Sequence, residues 1–149
     1  MAKLNKHTVI PLKVLTIDHE GIHLTVKATI NGKVAYLIID TGASRSVFDV
    51  AEINKYFKDK TKVNHTDSET LSSGLGTSTM PSKIALLNKV QIGDVILKNY
   101  EAILLDLSHV NKVYTQAGLK AIDGVIGNDI LMKHKALIDY EKLEIKLKF

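Results

Sequence analysis

The sequence predicts an all-β fold carrying two or three short helices. Twelve valines and sixteen isoleucines stand among 149 residues, against two prolines and no tryptophan. A β-branched surplus of that kind favours pleated, half-buried strands. Residues 22–30 alternate apolar and polar, which puts Ile22, Leu24, Val26, Ala28 and Ile30 on one face. Turn dipeptides punctuate the apolar runs at short intervals, Asn31-Gly32 and Gly93-Asp94 among them.

The elements follow in chain order. Residues 9–17 read as a strand, residues 18–21 as a turn, and residues 22–30 as the alternating strand. Asn31-Gly32 is a strong hairpin signal, because both residues tolerate the positive φ of a type I′ turn. Residues 34–39 return as a nearly all-apolar strand, the pattern of a strand buried on both faces. Residues 49–57 are expected to be a short helix, with Asp49 as its N-cap and Val50, Ile53 and Phe57 on one stripe. Residues 61–70 are polar and read as an exposed strand or loop. Residues 71–79 are rich in glycine, serine and threonine. Residues 84–92 and 95–105 form a long hairpin about Gly93-Asp94. Residues 108–119 are expected to be helical, with Ser108 as cap and Gly118 near the end. Val125-Ile126-Gly127 closes a short buried strand. Residues 128–134 form a short helix capped by Asn128, and residues 136–140 and 143–149 a final hairpin.

Residues 1–149 contain no repeat, linker or low-complexity tract and are expected to form one domain. The absence of cysteine excludes disulfides, thiolate metal sites and a cysteine nucleophile. The six histidines never share metal-ligand spacing on one element, so packing or solvated roles are expected, with no metal and no cofactor. The net charge of +4 comes from 20 basic and 16 acidic side chains. One of the basic residues, Arg45, is arginine; the lysines are spread along the chain. Nucleic-acid readers rely on arginine forks and aromatic platforms, so no nucleic-acid partner is expected. No apolar run approaches the length of a membrane span, and no signal sequence is legible. A cytoplasmic protein without a membrane partner is the expectation.

Chemistry concentrates in Leu37-Ile38-Ile39-Asp40-Thr41-Gly42-Ala43-Ser44. An aspartate follows directly on a buried apolar strand, and Thr-Gly then makes a tight loop. A carboxylate held there needs donors, and the amides of Thr41, Gly42 and Ala43 are placed to supply them. Taken alone, the motif reads equally as a reactive carboxyl on a rigid edge or as an aspartate capping a strand-to-loop turn. Two further features accompany it. Gly124-Val125-Ile126-Gly127-Asn128-Asp129-Ile130-Leu131 reads as a buried strand entering a glycine and then a short helix. Gly74-Leu75-Gly76 lies between the two, flanked by strand-like sequence.

In this order the sequence resembles the retropepsin-like aspartic proteases, the single-lobe relatives of pepsin, in its bacterial form. The resemblance runs from about residue 22 to the C-terminus. It rests on the apolar lead into Asp-Thr-Gly-Ala-Ser, the glycine-rich segment, and the later Val125-Ile126-Gly127. It implies a closed single-lobe barrel and an aspartic endopeptidase. Asp40 would be the catalytic carboxyl, with Thr41 and Gly42 completing the motif. One motif per chain implies a homodimer that brings two Asp40 carboxyls to one water. Such a pair shares a single proton, the general case being that of the aspartic proteases themselves. Thr41 would brace the pair across the dimer axis. Ala43 and Ser44 would contact a peptide or protein substrate, and Gly74, Leu75 and Gly76 would close over it as a flap.

The sequence departs from the retroviral pattern at Ser44 and Asn128. Family members usually carry an acidic residue at the first position and an arginine at the second. Arg45 and Asp129 stand one residue further along, as a reversed ion pair would require. The segment about Gly74 also lacks a Gly-Gly tip. These departures keep open a second reading: a non-catalytic peptide-binding or dimerisation module that retains the fold.

Overall fold

A computed structural model describes residues 5–17, 21–57, 66–72 and 80–149. Strand β1 (His7–Ile17) runs antiparallel to β2 (Gly21–Ile30), and β2 to β3 (Lys33–Ile39). The β2–β3 connection is the type I′ turn expected of Asn31-Gly32, with φ of 48° and 81°. Next come β4 (Val47–Asp49) and a single 3₁₀ turn (Ile53–Tyr56). Strands β5 (Thr66–Ser72), β6 (Met80–Ile92) and β7 (Val95–Leu105) follow, then helix α1 (Ser108–Gln116). The chain ends with β8 (Gly124–Ile126), helix α2 (Asn128–Lys133), β9 (Leu137–Asp139) and β10 (Glu144–Lys148).

Six strands close on themselves in the order β2-β3-β8-β4-β7-β6, because β6 pairs back onto β2. Closure satisfies the edge groups that an open sheet would expose. Strands β1, β10 and β9 extend the sheet beyond the barrel, and β5 pairs with β6. The main core fills the barrel, with Val26, Ile30, Leu37, Phe48, Leu87, Val90, Leu104 and Ile126 at its centre. A smaller core of Ile17, Ile38, Tyr114 and Ile122 lies beneath α1. The apolar run in β3 is explained by this division: Leu37 faces the main core and Ile38 the smaller one.

Several local expectations are corrected. Residues 49–57 do not form a helix. Val47, Phe48 and Asp49 pair in parallel with Ile103, Leu104 and Leu105, so Asp49 ends a strand. Ile53 and Tyr56 are the buried pair of the following turn, a spacing of three that suits a 3₁₀ turn. Asp49 is buried as a hub rather than a cap. It accepts hydrogen bonds from the Ala51 N–H (3.1 Å), the Leu107 N–H (3.4 Å) and Asn111 Nδ2 (2.8 Å). Helix α1 starts after Leu107, and the Ser108 N–H donates to Asp106 instead of the Ser108 side chain capping the helix. Gly118, at φ +76°, follows its end as expected. Gly127, not Asn128, occupies the N-cap position of α2. Ile22 is 66% exposed, because that end of β2 pairs with β1 while β3 pairing begins only at Thr25.

Buried Asp123 secures the approach to β8. Its Oδ2 accepts from the Tyr36 N–H at 2.8 Å, and its Oδ1 pairs with the Lys55 ammonium. Burial, followed by the Asp123 charge, pushes the Tyr56 phenol well above its ordinary range.

Candidate active site

Strands β3 and β8 run parallel with Ile39 opposite Ile126, so the segments that follow them emerge together. From β3 comes Asp40-Thr41-Gly42; from β8 comes Gly127-Asn128. The Asp40 N–H continues the ladder to the Ile126 carbonyl at 3.0 Å. The loop then crosses over the end of β8, and the Asn128 N–H donates to the Ala43 carbonyl at 2.9 Å. This crossing requires glycine at 127. A Cβ there would lie 2.7 Å from the Arg45 carbonyl oxygen and 2.8 Å from that of Ala43. Rigid backbone would have to move to admit it.

The Asp40 carboxylate is exposed at the mouth of the barrel, and the Gly42 N–H donates to its Oδ1 at 2.8 Å. Of the three amides expected to serve that carboxylate, Gly42 is the one that does. The Ala43 N–H turns to the Asp40 carbonyl at 3.2 Å, and no such bond from Thr41 is present among the described residues. The tight turn selects which amide can face the side chain. A Cβ on Gly42 would sit 3.2 Å from the same Oδ1, so a side chain there would press on the carboxylate.

Thr41 and Gly42 are exposed beside Asp40; Ala43 is half-buried and Ser44 exposed. Gly74, Leu75 and Gly76 lie outside the described residues. Asp40 and Thr41 form one wall of a cleft of about 660 Å³. The rest is largely aliphatic: Val14, Ile22, Leu24, Ile38, Ile39, Val110, Val125, Ile138 and Leu143, with His23 and Tyr140.

The expected pairing of Arg45 with Asp129 is not formed. Asp129 Oδ1 instead accepts from the backbone N–H of Ser46 (2.8 Å) and from its hydroxyl (2.7 Å). The Ser46 hydroxyl in turn accepts from the Gly127 N–H at 2.9 Å. Tyr100 donates to Asp129 Oδ2 at 3.4 Å, and burial followed by the Asp129 charge keeps that phenol protonated well above its usual range. Neutral Asn128 also takes a part, its Nδ2 donating to the Thr41 carbonyl at 2.8 Å. The Asp40 loop is thus anchored to α2 by Ser46 and Asn128 rather than by an ion pair. Sequence spacing did not single out Ser46 or His23, because neither belongs to a motif; only the crossing of the loop over β8 and the packing of α1 against β2 give them their places.

Among the described residues, no group of three or more His, Asp or Glu side chains is placed to hold a metal ion. No helix of the described residues is long and apolar enough to cross a membrane.

A closed six-stranded barrel with one Asp-Thr-Gly loop at its mouth defines a retropepsin-like lobe. A model of the aspartyl protease family matches residues 26–130, and the chain belongs to that family. Among solved structures it is similar to a retropepsin-like aspartic protease from Rickettsia conorii. The identity is 21% and the TM-score 0.58, with 100% of this chain and 98% of that chain covered. It is also similar to the retroviral protease-like domain of Ddi1 from Leishmania major. There the identity is 19% and the TM-score 0.49, covering 80% of this chain and 82% of that one. No curated protein matches.

Proposed function

We propose that the chain is an aspartic endopeptidase that acts as a homodimer, with Asp40 of each copy facing one catalytic water. The observation that carries this reading is the placement of Asp40. Its carboxylate stands exposed at the end of a rigid strand, fixed by the Gly42 N–H, at the wall of an apolar cleft. A single carboxylate cannot both take a proton from water and polarise a peptide carbonyl. Two carboxyls sharing one proton divide those tasks: the ionised member is the general base and the protonated one donates to the carbonyl oxygen. Thr41 braces the pair, and Gly42 leaves room for the substrate backbone. Ala43 and Ser44 contact the peptide. Support for a covering second copy comes from the rim of the cleft. Ile22 is 66% and Tyr140 71% exposed there, with Leu143 beside them, a large apolar surface to leave in water.

The test is Asp40→Asn, which is nearly isosteric and removes the ionisable group. Peptide hydrolysis by the purified protein is expected to disappear while circular dichroism and sizing profiles are unchanged. Activity retained in Asp40→Asn refutes the assignment. A wild-type protein that binds peptides without hydrolysing them identifies a peptide-binding module instead.

A further inference from the structure

His23 is the one nitrogen-bearing side chain among the described residues that line the cleft. It lies on β2, half-buried, between exposed Ile22 and buried Leu24. Its Nδ1 is in contact with the Tyr114 hydroxyl on α1, and the two rings meet edge to face at 5.7 Å between centroids. Tyr114 is fully buried in the small core of Ile17, Ile38 and Ile122. Its hydroxyl has no other partner among the described residues.

These facts fix the direction of the hydrogen bond. If Nδ1–H donated to the phenol, the Tyr114 O–H would be buried without an acceptor, which costs more than the bond returns. Burial also pushes the Tyr114 phenol above its ordinary range, so it keeps its proton. Tyr114 therefore donates, Nδ1 accepts, and the neutral imidazole carries its proton on Nε2. Nε2 has no partner among the described residues.

We propose that His23 is a specificity-determining residue: its Nε2–H donates to an amide or carboxylate oxygen on a substrate side chain seated over β2. The neighbouring wall of Leu24, Ile38 and Val125 accepts aliphatic groups, so the donor gives one subsite a glutamine- or glutamate-type preference. Tyr114 acts as a positioning residue, holding the tautomer. The proposal rests on the reading above in taking the cleft as the peptide site.

The test uses full-length Asp40→Asn protein, so that binding is measured without turnover. Matched peptides carry methionine, glutamine or glutamate at each position in turn, and dissociation constants are read by calorimetry. Methionine and glutamine are close in size and differ in the acceptor. At one position glutamine or glutamate is expected to bind about three- to tenfold tighter than methionine, the scale of one net hydrogen bond. Adding His23→Phe, which keeps an aromatic ring, is expected to abolish that preference. A glutamine preference without a glutamate one assigns the subsite to amides; the converse assigns it to carboxylates. Nitrogen-15 shifts of His23 in the protein with its histidine intact are expected to report the Nε2–H tautomer, and Tyr114→Phe to mix the two. The proposal is overturned if no position prefers an acceptor, if the preference survives His23→Phe, if none of the peptides binds, or if the proton is found on Nδ1. Acceptor-selective binding without hydrolysis by wild type would refute the proteolytic reading and leave the role of His23 standing. Hydrolysis without acceptor preference would do the reverse.

Discussion

Replacing Ser46 by alanine is expected to unlatch the loop that carries Asp40. Ser46 is 1% exposed, and its hydroxyl stands between two groups: it accepts from the Gly127 N–H and donates to Asp129 Oδ1. The two losses differ in size. Asp129 is exposed and keeps the Ser46 N–H as a donor, so water replaces much of the lost bond, at a cost of about 0.5–1 kcal/mol. The Gly127 N–H is enclosed beneath the backbone of residues 43–45, where water cannot replace its acceptor. An orphaned buried donor costs about 1–3 kcal/mol. The removed atom is small, so the cavity contribution is minor. The sum is about 1.5–4 kcal/mol, or a fall in Tm of roughly 3–16 °C for a chain of this length. Urea unfolding of Ser46→Ala and of Asp129→Asn measures it. Asp129→Asn keeps an acceptor oxygen and should cost under about 1 kcal/mol. Amide exchange at Gly127 should accelerate in Ser46→Ala and not in Asp129→Asn. A Ser46→Ala protein within about 0.5 kcal/mol of wild type, with Gly127 still protected, would show that the hydroxyl relay does not hold the loop.

Three other outcomes are expected. Peptidase activity should fall more steeply than concentration on dilution, because a lone copy holds half a site; a linear fall through concentrations where sizing shows monomer contradicts the dimeric mechanism. Ala43→Ser adds a hydroxyl to the loop that carries Asp40, and if it reaches the carboxylate it donates to the charged form and favours it. The acid limb of the pH–rate profile should therefore move to lower pH, and coincident profiles would refute that role. Finally, the phenols of Tyr56, Tyr100 and Tyr114 are all raised, first by burial. The unfolded chain then loses these protons near pH 10 while the native protein retains them, so stability should decline as pH rises above about 10. Unfolding midpoints measured across that range, with the phenolate absorbance followed alongside, check the sign; stability that is flat or rising there contradicts it.

The sequence by itself determined the strands whose patterns are local. The alternation in β2, the Asn31-Gly32 turn and the doubly apolar β3 were legible because side-chain period and turn chemistry act within a few residues. The same holds for the Asp-Thr-Gly motif and the later Val125-Ile126-Gly127, which led to the right family. Local pattern failed where a distant partner sets the conformation. Asp49 looked like a helix cap, but parallel pairing of Val47–Asp49 with β7 draws those residues into a strand, and the gain from a closed barrel exceeds any cap. Arg45 and Asp129 looked like an ion pair by position, yet the loop crossing delivers Ser46 to Asp129 instead. His23 carried no signal at all, since its place in the cleft depends on Tyr114, 91 residues away in the chain. Propensity and turn geometry are properties of neighbouring residues. The identity of the group that meets a carboxylate or an imidazole is a property of closure, and only the tertiary structure decided it.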